Sequence, residues 1–318
     1  MNRRQFLQAT GSGALVAATG CARKPIIGFP PSLLIIDCHT HFYDPTRPEG
    51  VPWPGKSDAF LYRSIKPADY LTEKVPAPVS GTVVVEASSW VEDNQWILDL
   101  ARDEKFIVGF CGNLDPAGES FATDLARFAV NPLYRGIRVS GESFASGMRD
   151  REFVRRLGLL ADRDLQLDVN VGVESLPEVA RLAREIPNLR IVVDHVANTG
   201  IDGKAPDPTW RRAMGEVARH KNVHAKVSGL VEGAGRFAKP VPTDTAYYAP
   251  WLEAIWNDFG EDRLIYGSNW PVSALFAPLY DVQRIVAEYF RVRGQVPLEK
   301  VFATNAAATY KWRQRNQS

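Results

Sequence analysis

The run Ile35-Ile36-Asp37-Cys38-His39-Thr40-His41 sets two histidines one residue apart at the end of an apolar stretch. On a β-strand, residues i and i+2 face the same side, so His39 and His41 would project together, close enough to share one ion. Neutral imidazole is the commonest metal ligand, and zinc–nitrogen bonds are about 2.0–2.1 Å. The chain has only five histidines in 318 residues. His195, after the apolar run from Arg190 to Asp194, completes a candidate three-histidine site. Three protein ligands and one open position for water is the usual catalytic zinc arrangement. Neutral ligands leave the ion's charge to act on that water, whose pKa falls toward about 7, so it could attack a carbonyl at neutral pH. Each histidine alone also reads as a strand-end residue satisfying local hydrogen bonds. Together they point to one divalent metal, zinc first and manganese second, or to a metal-free histidine cluster.

Other polar residues stand at the ends of apolar runs. Glu86 follows Val83-Val84-Val85 and is placed to be a fourth ligand or a general base. Arg138 lies on an apolar strand, where a buried guanidinium needs an anionic or polar partner. A substrate carboxylate or a developing oxyanion would serve its planar donor fork, and so would an internal pair with Glu86 or Asp168. Lys226 carries the same ambiguity, weighted toward structure. Asp194 alternates with His195 and should face away from the interior unless its strand ends there. His220 and His224 sit in a polar stretch and read as surface residues. Trp53, Tyr62, Trp90 and Trp270 are candidate pocket walls, each also plausible in a core.

These residues need a frame that brings strand ends together. Eight short, mostly continuous apolar runs read as strands: Leu33–Cys38, Thr82–Ala87, Ile107–Gly112, Gly136–Val139, Leu165–Val171, Arg190–Asp194, Val223–Val227 and Arg263–Tyr266. Amphipathic runs lie between them, at 94–102, 153–160, 176–186, 210–218, 248–259 and 279–293. Eight strands alternating with helices fit a single-domain α/β chain folded as a (β/α)8 TIM barrel, whose active site lies at the carboxyl ends of the strands. A doubly wound open sheet is the competing topology, but no G-x-G-x-x-G follows the first strand. The long insert from Phe42 to Val75 reads as an ordered cover over the site or as a structural wrap.

Composition sets the bounds. Hydrophobic content of 45% and charged content of 24% are those of a globular protein, and a net charge of +1 implies no polyanion partner. No nucleic-acid motif and no long apolar span follows the N-terminus. Residues 1–24 read as a twin-arginine-type export signal: Arg3-Arg4 precede Phe6-Leu7 and a modestly apolar stretch. The Gly20-Cys21 step resembles a lipoprotein cleavage site, with Cys21 a candidate lipid anchor, so the expected location is periplasmic or membrane-anchored. Residues 25–32 form a linker, 33–312 the barrel and 313–318 a polar tail. Cys38 and Cys111 read as core thiols.

In this order, the residues resemble the amidohydrolase-related family of barrel hydrolases, closest to its sugar-lactone and 2-pyrone-4,6-dicarboxylate lactonase branch. The likeness runs from about Leu34 to Trp312 and includes the strand-8 run Gly267-Ser268-Asn269-Trp270-Pro271. It implies a small-molecule substrate, a lactone or carboxylated compound. Family members usually carry an aspartate where this chain has Asn269, as general base and sometimes as a ligand. An amide takes up no proton at neutral pH and only orients water or substrate. Under this reading Glu86, Arg138, His195 and Asn269 form the catalytic set. A decarboxylase of related fold and an exported binding protein without turnover are the other expectations.

Overall fold

The computed structural model describes residues 28–30 and 33–315. The expected export signal with Cys21, and most of the expected linker, lie outside the described residues. Eight strands form one parallel sheet in chain order: β1 (Ile36–Thr40), β2 (Gly81–Val85), β3 (Ile107–Gly112), β4 (Tyr134–Ser140), β5 (Gln166–Asn170), β6 (Arg190–Val193), β7 (Val223–Val227) and β8 (Leu264–Tyr266). Beyond β8 the chain closes onto β1: the Asn269 amide donates to His39 O at 2.8 Å and the His41 amide to Trp270 O at 2.9 Å. The result is a (β/α)8 barrel. The strands are apolar because both faces are covered; Val83, Val84 and Val85 are fully buried, as are Ile191, Val192 and Val193.

Helices wrap the barrel where the helical periodicity placed them, at Asp93–Asp103, Arg151–Asp162, Leu176–Glu185, Pro208–Ala218, Thr245–Phe259 and Leu279–Arg291. The helix Leu176–Glu185 buries Leu176, Val179, Ala180 and Ala183, one stripe at i, i+3, i+4 and i+7. Asp207 opens the next helix by accepting from the amides of Thr209 and Trp210. The helices Phe121–Ala129 and Gly141–Gly147 were not expected from the sequence. The first carries only three buried residues, Phe121, Leu125 and Phe128; the second is mostly Gly and Ser and depends on packing against its neighbours.

Several boundaries differ from expectation. β1 starts at Ile36 and runs through Thr40, so His39 is a strand residue and His41 follows the strand. β6 ends at Val193, which frees Asp194 to turn inward. His224 is a ladder residue of β7, half-buried, and burial depresses its imidazole to about 4; it is not a surface residue. His220 is also only partly exposed. The tail is docked rather than free through Arg315: the Arg313 amide donates to Val108 O, and the Arg315 guanidinium to Glu104 O and Ile107 O. Cys38 and Cys111 are buried free thiols. The insert 42–75 is ordered; a Tyr43–Ile65 bridge pins it, and Leu61, Ile65 and Tyr70 bury beneath it. Among the described residues, no helix is long and apolar enough to cross a membrane.

Packing between β4 and β5 leaves no room for a side chain at Gly136, where a Cβ would collide with the carbonyl oxygen of Gln166. Gly136→Ala should cost about 1–3 kcal/mol or more, read as a lowered urea midpoint. Gly158, inside the helix Arg151–Asp162, faces only Ile186 Cδ1 at 3.9 Å. Gly158→Ala should instead stabilise by about 0.5–1 kcal/mol.

Candidate active site

The deepest layer of the site is a charged group inside the barrel. The Lys226 ammonium on β7 lies 2.6 Å from Asp168 Oδ2, 2.8 Å from Asp194 Oδ1 and 3.0 Å from His39 Nδ1. All four side chains are fully buried. Burial alone would discharge Lys226, but the two carboxylates outweigh it and raise its pKa. Burial raises Asp168 as well, whereas for Asp194 the Lys226 charge, helped by His39, overcomes burial and holds the carboxyl down. One ammonium between two carboxylates leaves the group formally one negative charge in excess. Tyr310 caps Asp168 from below at 3.0 Å.

Above this group stand the imidazoles. The His39 ring lies 4.3 Å from that of His195 and 5.0 Å from that of His41. Burial lowers all three, His195 to about 4 and His41 to about 3, so the rings are neutral at pH 7. His195 Nδ1 is 2.8 Å from Ser228 Oγ, while His39 Nε2 is buried without a partner. His195 opens a left-handed turn: residues His195, Val196, Ala197 and Asn198 all have φ between 45° and 62°. A β-branched residue such as Val196 is strained there. The turn is held by Trp210 Nε1 donating to Val196 O and by Asn198 Nδ2 donating to Asn170 Oδ1. Gly229, two residues past β7, has φ 67°, and a Cβ there would stand 2.6 Å from that of His195. Only glycine turns the chain at this point.

A cavity of about 640 Å³ opens over these groups, at the carboxyl ends of the strands. Of the residues expected from sequence, His41, Trp53, Glu86, Arg138, His195 and Asn269 line it, and His39 lies directly beneath. Arg138 Nε donates to Glu86 Oε1 at 2.8 Å and Nη2 to Glu86 O at 2.8 Å, so the two form an internal pair facing the cavity. Three expected wall residues lie elsewhere. Trp270 follows Asn269 and, by alternation, points out of the barrel; it is buried against Phe42 and Tyr70. Tyr62 stays half-exposed off the cavity, because the insert turns Leu61 and Ile65 inward instead. Trp90 lines a separate surface groove with Arg47 and Trp96.

The set able to hold a cation also differs from the three histidines expected. His39, Asp194 and His195 each present a ligand atom within 4.8 Å of the others. His41 is engaged at both nitrogens, by Val85 O at 3.0 Å and Asn269 Oδ1 at 3.2 Å. The orphaned His39 Nε2, two neutral rings and the excess negative charge fit one divalent ion. Asp194 faces inward because β6 ends before it, the exception the sequence left open, whereas Glu232, Arg236 and Lys239, which line the cavity after β7, were passed over. The only sign of Glu232 was a lone acid in the small apolar run Gly229-Leu230-Val231-Glu232-Gly233-Ala234.

Fold and site together define a (β/α)8 barrel with a histidine- and carboxylate-lined cavity at the carboxyl ends of its strands. The chain belongs to the amidohydrolase family, whose family model matches residues 36–312. It is 35% identical over 242 residues to an L-fucono-1,5-lactonase of Burkholderia ambifaria, covering 76% of this chain and 81% of that one. An L-fucono-1,5-lactonase of Burkholderia multivorans is 30% identical, with 82% and 90% covered. The crystal structure of a Burkholderia multivorans amidohydrolase with bound zinc superimposes with a TM-score of 0.74 at 26% identity, covering 88% of this chain and 99% of that one.

Two outcomes test the buried layer. Lys226→Met leaves Asp168 and Asp194 without their counter-charge and should destabilise by about 3–5 kcal/mol in urea unfolding. His41, His195 and His224 titrate lower in the folded chain than the ordinary 6.5, so the unfolded chain takes up their protons first. These imidazoles should therefore make stability fall as pH drops from about 6.5 to about 4 and below, a fall only partly offset by the raised Asp168 and Glu232 carboxyls, which take up protons first in the folded chain. Each imidazole contributes on the order of 1.4 kcal/mol per pH unit at most. A flat stability profile between pH 7 and 4 would contradict this.

Proposed function

We propose that the chain opens a lactone, of a sugar acid or similar compound, by water attack on the ring carbonyl. The observation that carries this reading is the similarity, along most of the barrel, to relatives named L-fucono-1,5-lactonase. The cavity suits such a substrate. Trp53 offers an apolar face beside His41, while Asn170 and Asn198 offer groups for hydroxyls. Arg236 and Lys239 at the rim favour a substrate that also carries a carboxylate.

Arg138 has two of its five N–H donors committed to Glu86, and the remaining ones can meet the carbonyl oxygen as it becomes an oxyanion. The Glu86 pair fixes the guanidinium in place before the substrate arrives. His39, Asp194 and His195 would hold the divalent ion, zinc or manganese, which when bound supplies Lewis-acid polarisation of the carbonyl and a more acidic water. A metal-independent version is favoured by one observation. The Lys226 ammonium sits 3.0 Å from His39 Nδ1. It donates there, which leaves the ring proton on Nε2, pointing toward the cavity as a ready donor to the carbonyl. The paired arginines Arg3-Arg4 and the Gly20-Cys21 step support export of the mature chain, with a lipid anchor at Cys21.

The test is a panel of aldonolactones, L-fucono-1,5-lactone among them, followed by proton release. Ring-opening is expected. His195→Ala and Arg138→Met should each lower kcat/KM by about 10²–10³-fold. Elemental analysis and a chelator then separate the two versions. About one ion per chain, with activity lost on chelation and restored by zinc or manganese, supports the metal. Full activity in metal-free enzyme supports the His39 donor. No turnover of any lactone, with or without added ions, would overturn the reading.

A further inference from the structure

Glu232 sits on the short helical turn Leu230–Ala234 that follows the left-handed Gly229, and its carboxyl group faces the cavity. Oε1 lies 2.8 Å from Asn269 Nδ2. Oε2 is buried without a hydrogen-bond partner. Glu86, the other carboxylate lining the cavity, is engaged by Arg138 through both its Oε1 and its backbone oxygen. Among the described residues, Glu232 faces no cation at hydrogen-bond distance. Its Oε1 meets an amide, and its Oε2 is enclosed in the cavity wall that the residue helps to form.

The amide between Glu232 and His41 constrains the proton further. His41 Nδ1 faces the Val85 carbonyl, so that nitrogen carries the hydrogen, and in the neutral ring Nε2 is a lone pair. When Asn269 gives its NH₂ to a Glu232 carboxylate, its own oxygen faces that lone pair at 3.2 Å. Turned over, the amide gives its NH₂ to His41 and its oxygen to Glu232, which must then carry a proton to donate. One amide therefore serves both the ionised and the protonated carboxyl, and opposes the ionised one. Burial acts in the same direction and raises the carboxyl to about 7. An aspartate at 269 would instead place two carboxylates against each other.

We propose that Glu232 is the proton-carrying catalytic residue of this site, in place of the carboxylate absent from the end of strand 8, and that Asn269 is the positioning residue that holds it in either protonation state. The proposal rests on the lactone reading for its chemistry. Water forms a C–O bond to the ring carbonyl carbon while one of its protons passes to Glu232. The tetrahedral intermediate then breaks the C–O bond to the ring oxygen, and Glu232 returns that proton to the departing oxygen. The carboxyl ends as it began, the product is the hydroxy acid, and no other co-reactant is consumed.

The test uses the full mature chain. Glu232→Gln keeps the shape and should lower kcat by about 10²–10⁴-fold with KM changed by no more than about threefold. Glu232→Ala should lose as much and regain turnover with added formate, which a purely structural role would not allow. A kcat within about threefold of wild type in Glu232→Gln overturns the proposal. So does loss in Glu232→Ala without rescue by formate. If the wild-type chain opens no lactone, the lactone reading falls by itself, and infrared difference spectra decide the rest. Wild type minus Glu232→Gln in mildly acidic buffer should show a protonated-carboxyl band, and its absence overturns the assignment.

Discussion

The structure depends on one buried ammonium. Lys226 reaches Asp168 on β5, Asp194 after β6 and His39 on β1, so one side chain from β7 ties strands on both sides of the barrel. Isolated, any of these charges would cost several kcal/mol in the interior. Together they offset one another: the ammonium donates to Asp168 and His39 and lies 2.8 Å from Asp194 as an ion pair. The same contacts set the chemistry above them. They fix which nitrogen of His39 faces the cavity and keep Asp194 ionised beside it. Replacing the group by apolar side chains could preserve the barrel, but it would remove the field in which the imidazoles work.

A second tie closes the barrel and positions Asn269. Asp37 on β1 accepts from the amide of Ser268 at 2.8 Å and from its own neighbour His39 at 3.1 Å, while Tyr70 of the insert caps its other oxygen. Burial raises this carboxyl despite those bonds. Asn269 then takes φ 60°, a conformation asparagine tolerates better than most residues. Its side chain is thereby turned into the cavity and that of Trp270 away from it. The insert contributes twice over, through Tyr70 to this tie and through Trp53 to the wall.

The barrel was legible in the sequence because strands buried on both faces are written as unbroken apolar runs, and each run here survives as a strand with ends moved by a few residues. The histidine pair was legible because spacing of two on a strand has one geometric meaning. What was left open or failed lies one to five residues past a strand end, where period-two reasoning stops. Asp194 was expected to face outward unless its strand ended there, and β6 does end at Val193, so the residue turns in. Trp270 was assigned to the pocket by its position after strand 8, yet alternation from Asn269 sends it outward. Glu232 lies beyond a left-handed glycine, where no periodicity connects it to the strand before.

These misses share a physical cause that also explains how the site is divided. The barrel interior fixes the neutral imidazoles and their charges through packing and hydrogen bonds that the strand pattern encodes. Arg138 stays on β4, but His195 and Glu232 stand on turns, where glycine at 229 and the strained left-handed run from His195 to Asn198 set the path of the chain. Strain of this kind persists only when surrounding contacts over-determine it, as Trp210 and Asn170 do here. The barrel can therefore carry Asn269 after strand 8 and Glu232 on the turn after β7 without any change to its strands. Both positions open onto the same cavity, and only the turn changes to reach it.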